Sequence, residues 1–292
     1  MARVAVVGPG AIGSVSAAAV QRAGHELVLC GRRDPGKIRV EELWSSESVT
    51  LGSRVLTSAG QVDSPADWVL VAVKAHQTDG AAPYLRALCG PDTAVVVLQN
   101  GVEHRERVRP HLDGQPVLPA IVWMEAETVA PGHTLVRRAS RLKVPAGELG
   151  QRFAGLVTGI DVSLEADFAT ELWRKLTSNA VAGLMALAGR RTAIFAMPDI
   201  RELADALALE CLTVARAEGA RLDDTAAAEI VDGLAGLPPG SGSSILFDRL
   251  ADRPLEWEAR NGVVRRKGRE HGLPTPISDV IVPLLAAASN ED

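Results

Sequence analysis

Hydrophobic residues follow different patterns in the two halves of this 292-residue chain. In the first half, short and nearly uninterrupted apolar runs alternate with helical segments, which is typical of parallel strands buried on both faces. These predicted strands are Arg3–Val7, Glu26–Cys30, Trp68–Val73 and Thr93–Leu98. After Asp167 the pattern changes to long stretches with helical spacing. We therefore predict an α/β domain over residues 1–167 and an all-α domain over residues 168–292.

Prolines and glycines mark the ends of the elements within both halves. The predicted C-terminal helices are Phe168–Leu187, Asp199–Glu218, Asp223–Leu234, Ser243–Leu250 and Glu256–His271. In the first half, Pro119–Trp123 and Thr134–Arg137 lie on either side of a Pro131-Gly132 turn. This pattern predicts antiparallel strands that extend a mostly parallel sheet.

A glycine-rich turn directly follows the first strand. It consists of Gly8, Pro9, Gly10, Ala11, Ile12 and Gly13, and a predicted helix from Ser14 to Ala23 comes after it. A strand, such a turn and a helix open the Rossmann domain, in which the middle glycine leaves room for a pyrophosphate and the helix N-terminus attracts it. The pattern predicts that these six residues bind a dinucleotide cofactor.

The second predicted strand is followed by Arg32, Arg33 and Asp34. An NAD site usually has an acidic residue here for the ribose hydroxyls, whereas a guanidinium suits the 2′-phosphate of NADP. We therefore predict NADPH/NADP+ as the cofactor, with Arg32 or Arg33 at the phosphate. Ordinary solvated arginines would give the same pattern, and Asp34 leaves NAD(H) open.

Polar residues follow two further strands, with Lys74 after one and Asn100 after the other. Ligands of open α/β sheets bind outside the carboxyl ends of the strands, so both residues are predicted to lie near the cofactor. A solvated strand terminus would also explain Lys74, and Asn100-Gly101 is a common turn dipeptide.

Lys175 and Asn179 are four residues apart in a predicted helix and therefore share a face with Glu171 and Gly183. A lysine there can protonate the oxygen that gains charge when hydride reaches a carbonyl carbon, and an asparagine can orient that oxygen. The alternative is a solvated Lys175 that pairs with Glu171.

Ser244 and Glu256 both fall near predicted helix starts. Each can be a helix cap, since hydroxyls and acidic groups are favoured at helix N-termini. Alternatively, the hydroxyl binds a substrate carboxylate, and the Glu256 carboxylate orients the substrate and tunes the proton affinity of Lys175.

Composition excludes several classes of protein. The net charge of −5, from 31 basic and 36 acidic residues, gives no indication of a nucleic-acid partner. Three widely spaced cysteines and six histidines without ligand spacing indicate free thiols, a reducing compartment and no metal site. The chain shows neither a signal-peptide pattern nor the roughly 20 apolar residues that span a bilayer. We expect a cytoplasmic protein without a membrane partner, either a monomer or a homodimer.

Taken in order along nearly the whole chain, these motifs resemble the ketopantoate reductase (2-dehydropantoate 2-reductase) family. The resemblance rests on the Gly8–Gly13 turn, Val73–Gln77, Leu98–Gly101, Leu172–Leu176 with Asn179, the Ser243-Ser244 helix start, and Glu256 with Asn261-Gly262. It implies an NADPH-dependent oxidoreductase that reduces the small 2-oxo acid 2-dehydropantoate to pantoate, a step of pantothenate and coenzyme A biosynthesis.

The resemblance also implies a role for each matching residue. Lys175 becomes the general acid and Glu256 the carboxylate that orients the substrate. Asn100 and Asn179 are expected to hydrogen-bond near the reacting oxygen, and Ser244 to hold the substrate carboxylate.

Two positions depart from the family pattern, because Gly183 and Ser241 stand where members often have substrate-binding asparagines. Loss of each amide should weaken recognition of the substrate's far hydroxyl by about 1–3 kcal/mol. A reductase of a different 2-oxo acid, or a β-hydroxyacid dehydrogenase of similar build, is therefore an alternative. Another is a non-catalytic NADP(H)-sensing protein, in which Lys175 would be dispensable.

Overall fold

The computed structural model describes residues 1–290. These residues form two compact units. The first comprises Met1–Gln99 and Glu103–Phe168, and the second comprises Asn100–Val102 and the chain from Ala169 onward. Within the described range, no helix combines the length and the apolar character needed to cross a membrane.

Strands and short helices make up the first unit. Its strands are β1 (Arg3–Val7), β2 (Glu26–Cys30), β3 (Ile38–Glu42), β4 (Glu47–Leu51), β5 (Val55–Leu56), β6 (Ala66–Val71), β7 (Cys89–Val97), β8 (Val117–Pro119), β9 (Ile121–Trp123), β10 (Ala126–Ala130), β11 (His133–Val136), β12 (Arg141–Pro145) and β13 (Asp161–Glu165). Its helices are α1 (Ala11–Arg22), α2 (Thr78–Leu88), α3 (His104–Val108) and α4 (Glu148–Ala154).

The main sheet is parallel and has the strand order β5-β2-β1-β6-β7-β8. The order reverses direction at β1, as it does in Rossmann folds. Along β1, Val4 and Val6 belong to one apolar cluster while Ala5 and Val7 belong to another, so alternate side chains pack on opposite faces. This two-sided burial explains why the strand is apolar at consecutive positions. The predicted fold class is confirmed.

The other strands form two smaller mixed sheets, ordered β10-β11-β3-β4 and β13-β12-β9. Strands β11 and β3 pair in parallel, as do β12 and β13, and the remaining neighbours pair antiparallel. A hairpin turns at Pro131-Gly132 as predicted, but its first strand is Ala126–Ala130. The predicted strand Pro119–Trp123 corresponds to β9, which pairs antiparallel with β12, and only its pairing across the Pro131-Gly132 turn was wrong. Strand β10 is almost entirely exposed, so it lacks the apolar alternation by which a half-buried strand is identified.

Helices make up the second unit. They are α5 (Phe168–Ala188), α6 (Pro198–Ala217), α7 (Thr225–Ala235), α8 (Ser244–Leu250), a π-helical turn at Glu258–Gly262 that continues into α9 (Val263–Glu270), and α10 (Pro276–Ala288). The last helix has no counterpart in the predicted set. Its N-terminus is capped from a distance by the buried Glu210, whose carboxylate accepts hydrogen bonds from the backbone of Ile277 and Ser278.

Helix α5 packs into the core of the second unit through Trp173, Leu176, Ala180 and Leu184. These residues are spaced by three or four positions, as one helix face requires. Phe168 and Leu172, which precede Leu176 by eight and four residues, are only partly buried. The neighbouring face of α5 is the one that carries polar side chains.

Candidate active site

The glycine-rich turn joins β1 to α1 in the first unit. Gly8 has a positive φ of 94°, and a Cβ atom there would lie 2.6 Å from Val73 Cγ1. A Cβ atom at Gly13 would overlap the carbonyl oxygen of Gly8. Glycine at these two positions is therefore required by the fold itself.

Gly10 differs from both, because a Cβ atom there would meet no other atom within 4 Å. It is the N-cap of α1, whose first turn contains no acidic residue. Unpaired backbone N–H groups and the helix dipole make such an N-terminus suitable for phosphate. The open space at Gly10 and the absence of competing carboxylates in the described first turn fit a dinucleotide pyrophosphate.

We expect Gly10→Ala to weaken binding of the dinucleotide about tenfold without lowering the unfolding temperature, because the new methyl group enters space that the protein does not fill. Gly13→Ala should instead destabilise the protein by roughly 1–3 kcal/mol through overpacking. NADPH titration and thermal unfolding of both variants measure the two effects. An equal loss of stability in Gly10→Ala and Gly13→Ala would contradict this difference between the two glycines.

The residues after β2 differ in exposure and in contacts. Arg32 and Arg33 are exposed. The Asp34 carboxylate accepts a hydrogen bond of 2.9 Å from the Gly36 backbone and lies 3.4 Å from Arg54 Nε. The acidic side chain is thus already engaged by its own loop and a neighbouring arginine, whereas the two guanidinium groups after the strand are accessible to a phosphate.

Lys74 lies in the first unit, directly before a short 3-10 turn at Ala75–Gln77, and is partly buried. Its backbone N–H donates to Gln77 Oε1 over 3.4 Å. Asn100, predicted beside it at the sheet edge, groups with the helical unit and takes part in a polar cluster there.

That cluster is a chain of hydrogen bonds between side chains distant in sequence. Asn100 Nδ2 donates to Glu256 Oε2 over 2.9 Å, and Asn179 Nδ2 donates to Asn100 Oδ1 over 3.2 Å. Asn179 and Glu256 are buried, with 7% and 6% exposure. A buried carboxylate held by an amide is fixed in orientation and excluded from bulk water, as a substrate-orienting group needs to be.

Lys175 lies one turn before Asn179 on α5 and is partly buried. Burial and, to a smaller extent, the positive charge of Arg260 lower the pKa of Lys175 to about 7. Both causes disfavour the ammonium form, so the group loses its proton more readily than an exposed lysine. A lysine with a pKa near neutrality is suited to proton transfer.

Ser244 is the first residue of α8 and is exposed. The helix is capped by its neighbour Ser243, whose hydroxyl accepts from the Leu246 backbone over 3.4 Å. Capping therefore does not account for the Ser244 hydroxyl, which accepts instead from Arg260 Nη1 over 3.1 Å.

Arg260 is the member of the cluster that sequence reasoning missed. It is 2% exposed, and its Nη2 donates to Asn179 Oδ1 over 3.0 Å. It lies in the π-helical turn, where three consecutive side chains, those of residues 259–261, are buried. Such turns interrupt regular helical spacing, so a sequence pattern of period 3.6 does not identify the face they present.

The two departures from the family pattern have different surroundings. A Cβ atom on Gly183 would lie 3.0 Å from Asn261 Oδ1 and 3.3 Å from Leu285 Cδ1, so the Asn261 amide packs directly on this glycine. Asn261 Nδ2 in turn donates to the Ala180 carbonyl over 3.0 Å. The backbone carbonyl of Ser241 accepts from Thr192 over 3.1 Å in a loop contact.

A parallel sheet with a dinucleotide-binding turn, together with a helical unit that carries a lysine of low pKa and a buried carboxylate, defines an oxidoreductase that uses a nicotinamide dinucleotide. Comparison with known families is more specific. Residues 4–148 match the model described as ketopantoate reductase PanE/ApbA, and residues 167–289 match its C-terminal counterpart. The chain belongs to the ketopantoate reductase family.

Individual relatives resemble the chain over almost its full length. It is 48% identical to a 2-dehydropantoate 2-reductase of Mycobacterium tuberculosis over 98% of both chains. It is 39% identical to one from Caulobacter vibrioides, covering 99% of this chain and 100% of the relative. Among solved structures, a dimeric ketopantoate reductase from Staphylococcus aureus aligns with a TM-score of 0.88 and 30% identity over 98% of both chains. The predicted family and enzyme class are confirmed.

Proposed function

We propose that this chain is an NADPH-dependent 2-dehydropantoate 2-reductase that forms pantoate, a step towards pantothenate and coenzyme A. The observation that carries the proposal is the hydrogen-bonded set of Asn100, Asn179 and Glu256, with Lys175 one helical turn away on α5. The activity named for the relatives, 2-dehydropantoate 2-reductase, is the chemistry that these residue types can perform.

Reduction of a 2-oxo acid needs a hydride at the carbonyl carbon and a proton at the carbonyl oxygen. A bound reduced nicotinamide supplies the hydride. The Lys175 ammonium donates its proton to the carbonyl oxygen as negative charge develops there, which yields the hydroxyl group. Because the pKa of Lys175 is about 7, the lysine gives up this proton at a low free-energy cost and recovers it from water afterwards.

The remaining residues orient the substrate. Asn100 and Asn179 offer amide groups that hold the carbonyl oxygen towards Lys175. The buried Glu256 carboxylate accepts a hydrogen bond from a substrate hydroxyl, and the exposed Ser244 hydroxyl contacts the substrate carboxylate. Fixing the substrate in this way supplies part of the rate acceleration through orientation alone.

The first unit is proposed to bind NADPH through Gly8, Pro9, Gly10, Ala11, Ile12 and Gly13, with Lys74 and Arg32 as further contacts. Asn100 is also proposed to contact the cofactor. The preference for NADPH is supported by the exposed arginines after β2 and by the engagement of Asp34 within its own loop. An arginine is suited to the 2′-phosphate through paired, charge-assisted hydrogen bonds.

Arg32→Ala is expected to raise the KM for NADPH about 10- to 100-fold and to leave the KM for NADH unchanged, because only NADPH carries the phosphate. Arg33→Ala, measured in parallel, decides which guanidinium makes the contact. Arg39→Ala is the control, since this exposed arginine pairs with Glu41 and is not assigned to the cofactor. Unchanged NADPH kinetics in both Arg32→Ala and Arg33→Ala would refute the phosphate contact.

The direct assay is loss of NADPH absorbance with ketopantoate, compared with NADH and with a panel of other 2-oxo acids. Oxidation of NADPH with ketopantoate is expected. Turnover of a different 2-oxo acid alone would keep the chemistry and change the substrate. Binding of NADPH without turnover across the panel would refute the enzymatic proposal in favour of an NADP(H) sensor.

A reductase of another 2-oxo acid is the second candidate, and one observation favours it. Neither Gly183 nor Ser241 supplies the amide side chain expected at its position, and Asn261 packs against the first of them. The far end of the substrate therefore meets different groups from those of the family pattern, and the panel above tests this point.

A further inference from the structure

Arg260 is a buried cation whose hydrogen bonds go to neutral atoms. Its Nη1 donates to Ser244 Oγ over 3.1 Å and its Nη2 donates to Asn179 Oδ1 over 3.0 Å. Its Nε atom is buried and has no hydrogen-bond partner among the residues that the structure describes. A guanidinium has five N–H groups suited to carboxylates. In Arg260 not all of these N–H groups donate a hydrogen bond.

The charges around Arg260 offset its own only partly. Glu256 and Asp248 favour the charged form of the guanidinium, but burial has the larger effect and lowers its pKa. Asp248 lies 3.0 Å from Arg253 Nε, and Glu256 accepts a hydrogen bond from Asn100. Both carboxylates are thus shared with other donors. A buried cation in this situation is stabilised by an anion that reaches it.

The position of Arg260 indicates which anion that is. One of its partners, Asn179, belongs to the cluster proposed to hold the reacting carbonyl, and the other, Ser244, is exposed to solvent. In a 2-oxo acid the carboxylate is bonded directly to the carbonyl carbon. A group that bridges Asn179 and Ser244 therefore lies where the carboxylate of such a substrate is expected.

We propose that Arg260 binds the carboxylate of the 2-oxo acid together with Ser244 and makes the enzyme selective for anionic substrates. This inference rests on the proposed reductase function. Arg260 supplies a charged hydrogen-bond donor at a site where Gly183 and Ser241 lack the two amide side chains of the family pattern. A hydrogen bond between charged groups is stronger than one between neutral groups. Arg260 is thereby a specificity-determining residue of the reaction.

The experiment compares ketopantoate with ketopantoyl lactone, using the full-length protein and NADPH. The lactone is neutral and keeps the reacting carbonyl, but it lacks both the carboxylate and the free hydroxyl assigned to Glu256, so the role of Arg260 is measured as the change in the ratio between variants. For the unmodified enzyme, kcat/KM is expected to be at least about 100-fold higher for the anion. Arg260→Gln should lose most of this ratio, mainly through a raised KM for ketopantoate. Effects that the substitution has through Asn179 or the pKa of Lys175 act on both compounds and therefore do not account for a change in the ratio. Arg260→Lys, which keeps the charge, should retain part of the ratio.

Arg266→Gln is the matched control, because this arginine on α9 pairs with Glu258 near the surface and is expected to keep the full ratio. NADPH affinity and thermal unfolding show that each variant is folded. A folded Arg260→Gln enzyme with an unchanged ratio would overturn the role of Arg260 and leave the reductase function standing. If Arg260→Gln does not fold, the folded Arg260→Lys enzyme is the test variant, and a ratio equal to that of the unmodified enzyme overturns the inference. No turnover by the unmodified enzyme with any 2-oxo acid would overturn both proposals.

Discussion

Lys175→Met is expected to lower kcat/KM for the 2-oxo acid about 1,000-fold and to leave NADPH affinity unchanged. Methionine keeps much of the length of the lysine side chain and removes its proton and charge, and general acids typically contribute factors of 100 to 10,000. The packing of α5 should survive, because its core contacts come from Trp173, Leu176, Ala180 and Leu184 on another face. Steady-state kinetics and NADPH titration measure the two quantities.

The pH dependence provides an independent measurement of the same role. An acid must be protonated to act, and the pKa of Lys175 is lowered to about 7. The value of kcat/KM should therefore be constant at acidic pH and fall about tenfold per pH unit above roughly pH 7. The decline should be absent in Lys175→Met. Arg174→Met is the control, since Arg174 pairs with Glu229. A decline that persists in Lys175→Met would assign the acid to another group.

Glu256→Gln is expected to lower kcat/KM on the order of 100-fold and to lower the unfolding temperature, because the buried Arg260 loses a compensating charge. Glutamine has the same shape, and its oxygen can still accept the hydrogen bond from Asn100 Nδ2. The substitution removes only the negative charge, which would weaken the hold on a substrate hydroxyl and leave the charge of Arg260 less well offset. Substrate kinetics and thermal unfolding measure these effects.

A matched control lies two residues away. Glu258 pairs with Arg266 and its side chain is 52% exposed, so Glu258→Gln should keep full activity. Equal effects of the two substitutions would show that general electrostatics, rather than a specific contact of Glu256, determine the rate. Activity of Glu256→Gln equal to that of the unmodified protein would remove this residue from the proposed mechanism.

Strands buried on two faces could be predicted from the sequence almost to the residue, as β1 and β2 show. Their continuous apolar runs leave little room for another interpretation. Helix α5 was predicted within one residue, because its apolar spacing continues over many turns. The same periodicity placed Lys175 and Asn179 on one face, which is why the proposed acid and this member of the polar cluster could be placed on one helix in advance.

Features that depend on tertiary contacts could not be predicted in this way. Arg260 is four residues after Glu256, a spacing typical of ordinary surface ion pairs, and nothing local distinguishes a buried arginine from a solvated one. Strand β10 exposes most of its residues because it lies at the edge of a small sheet. Helix α10 contains Pro283 in its interior, and proline is usually taken to end a helix.

The packing around Gly183 limits which substitutions can change the substrate preference. A side chain at this position would press against the Asn261 amide and Leu285. Asparagine could be restored at position 183 only together with a shift of Asn261, which follows Arg260 directly in the chain. Residues in direct contact have non-additive effects on stability, with coupling energies of about 0.5–3 kcal/mol. The positions that set substrate preference are thus expected to evolve as a group, and exchanging one residue at a time would pass through less stable intermediates.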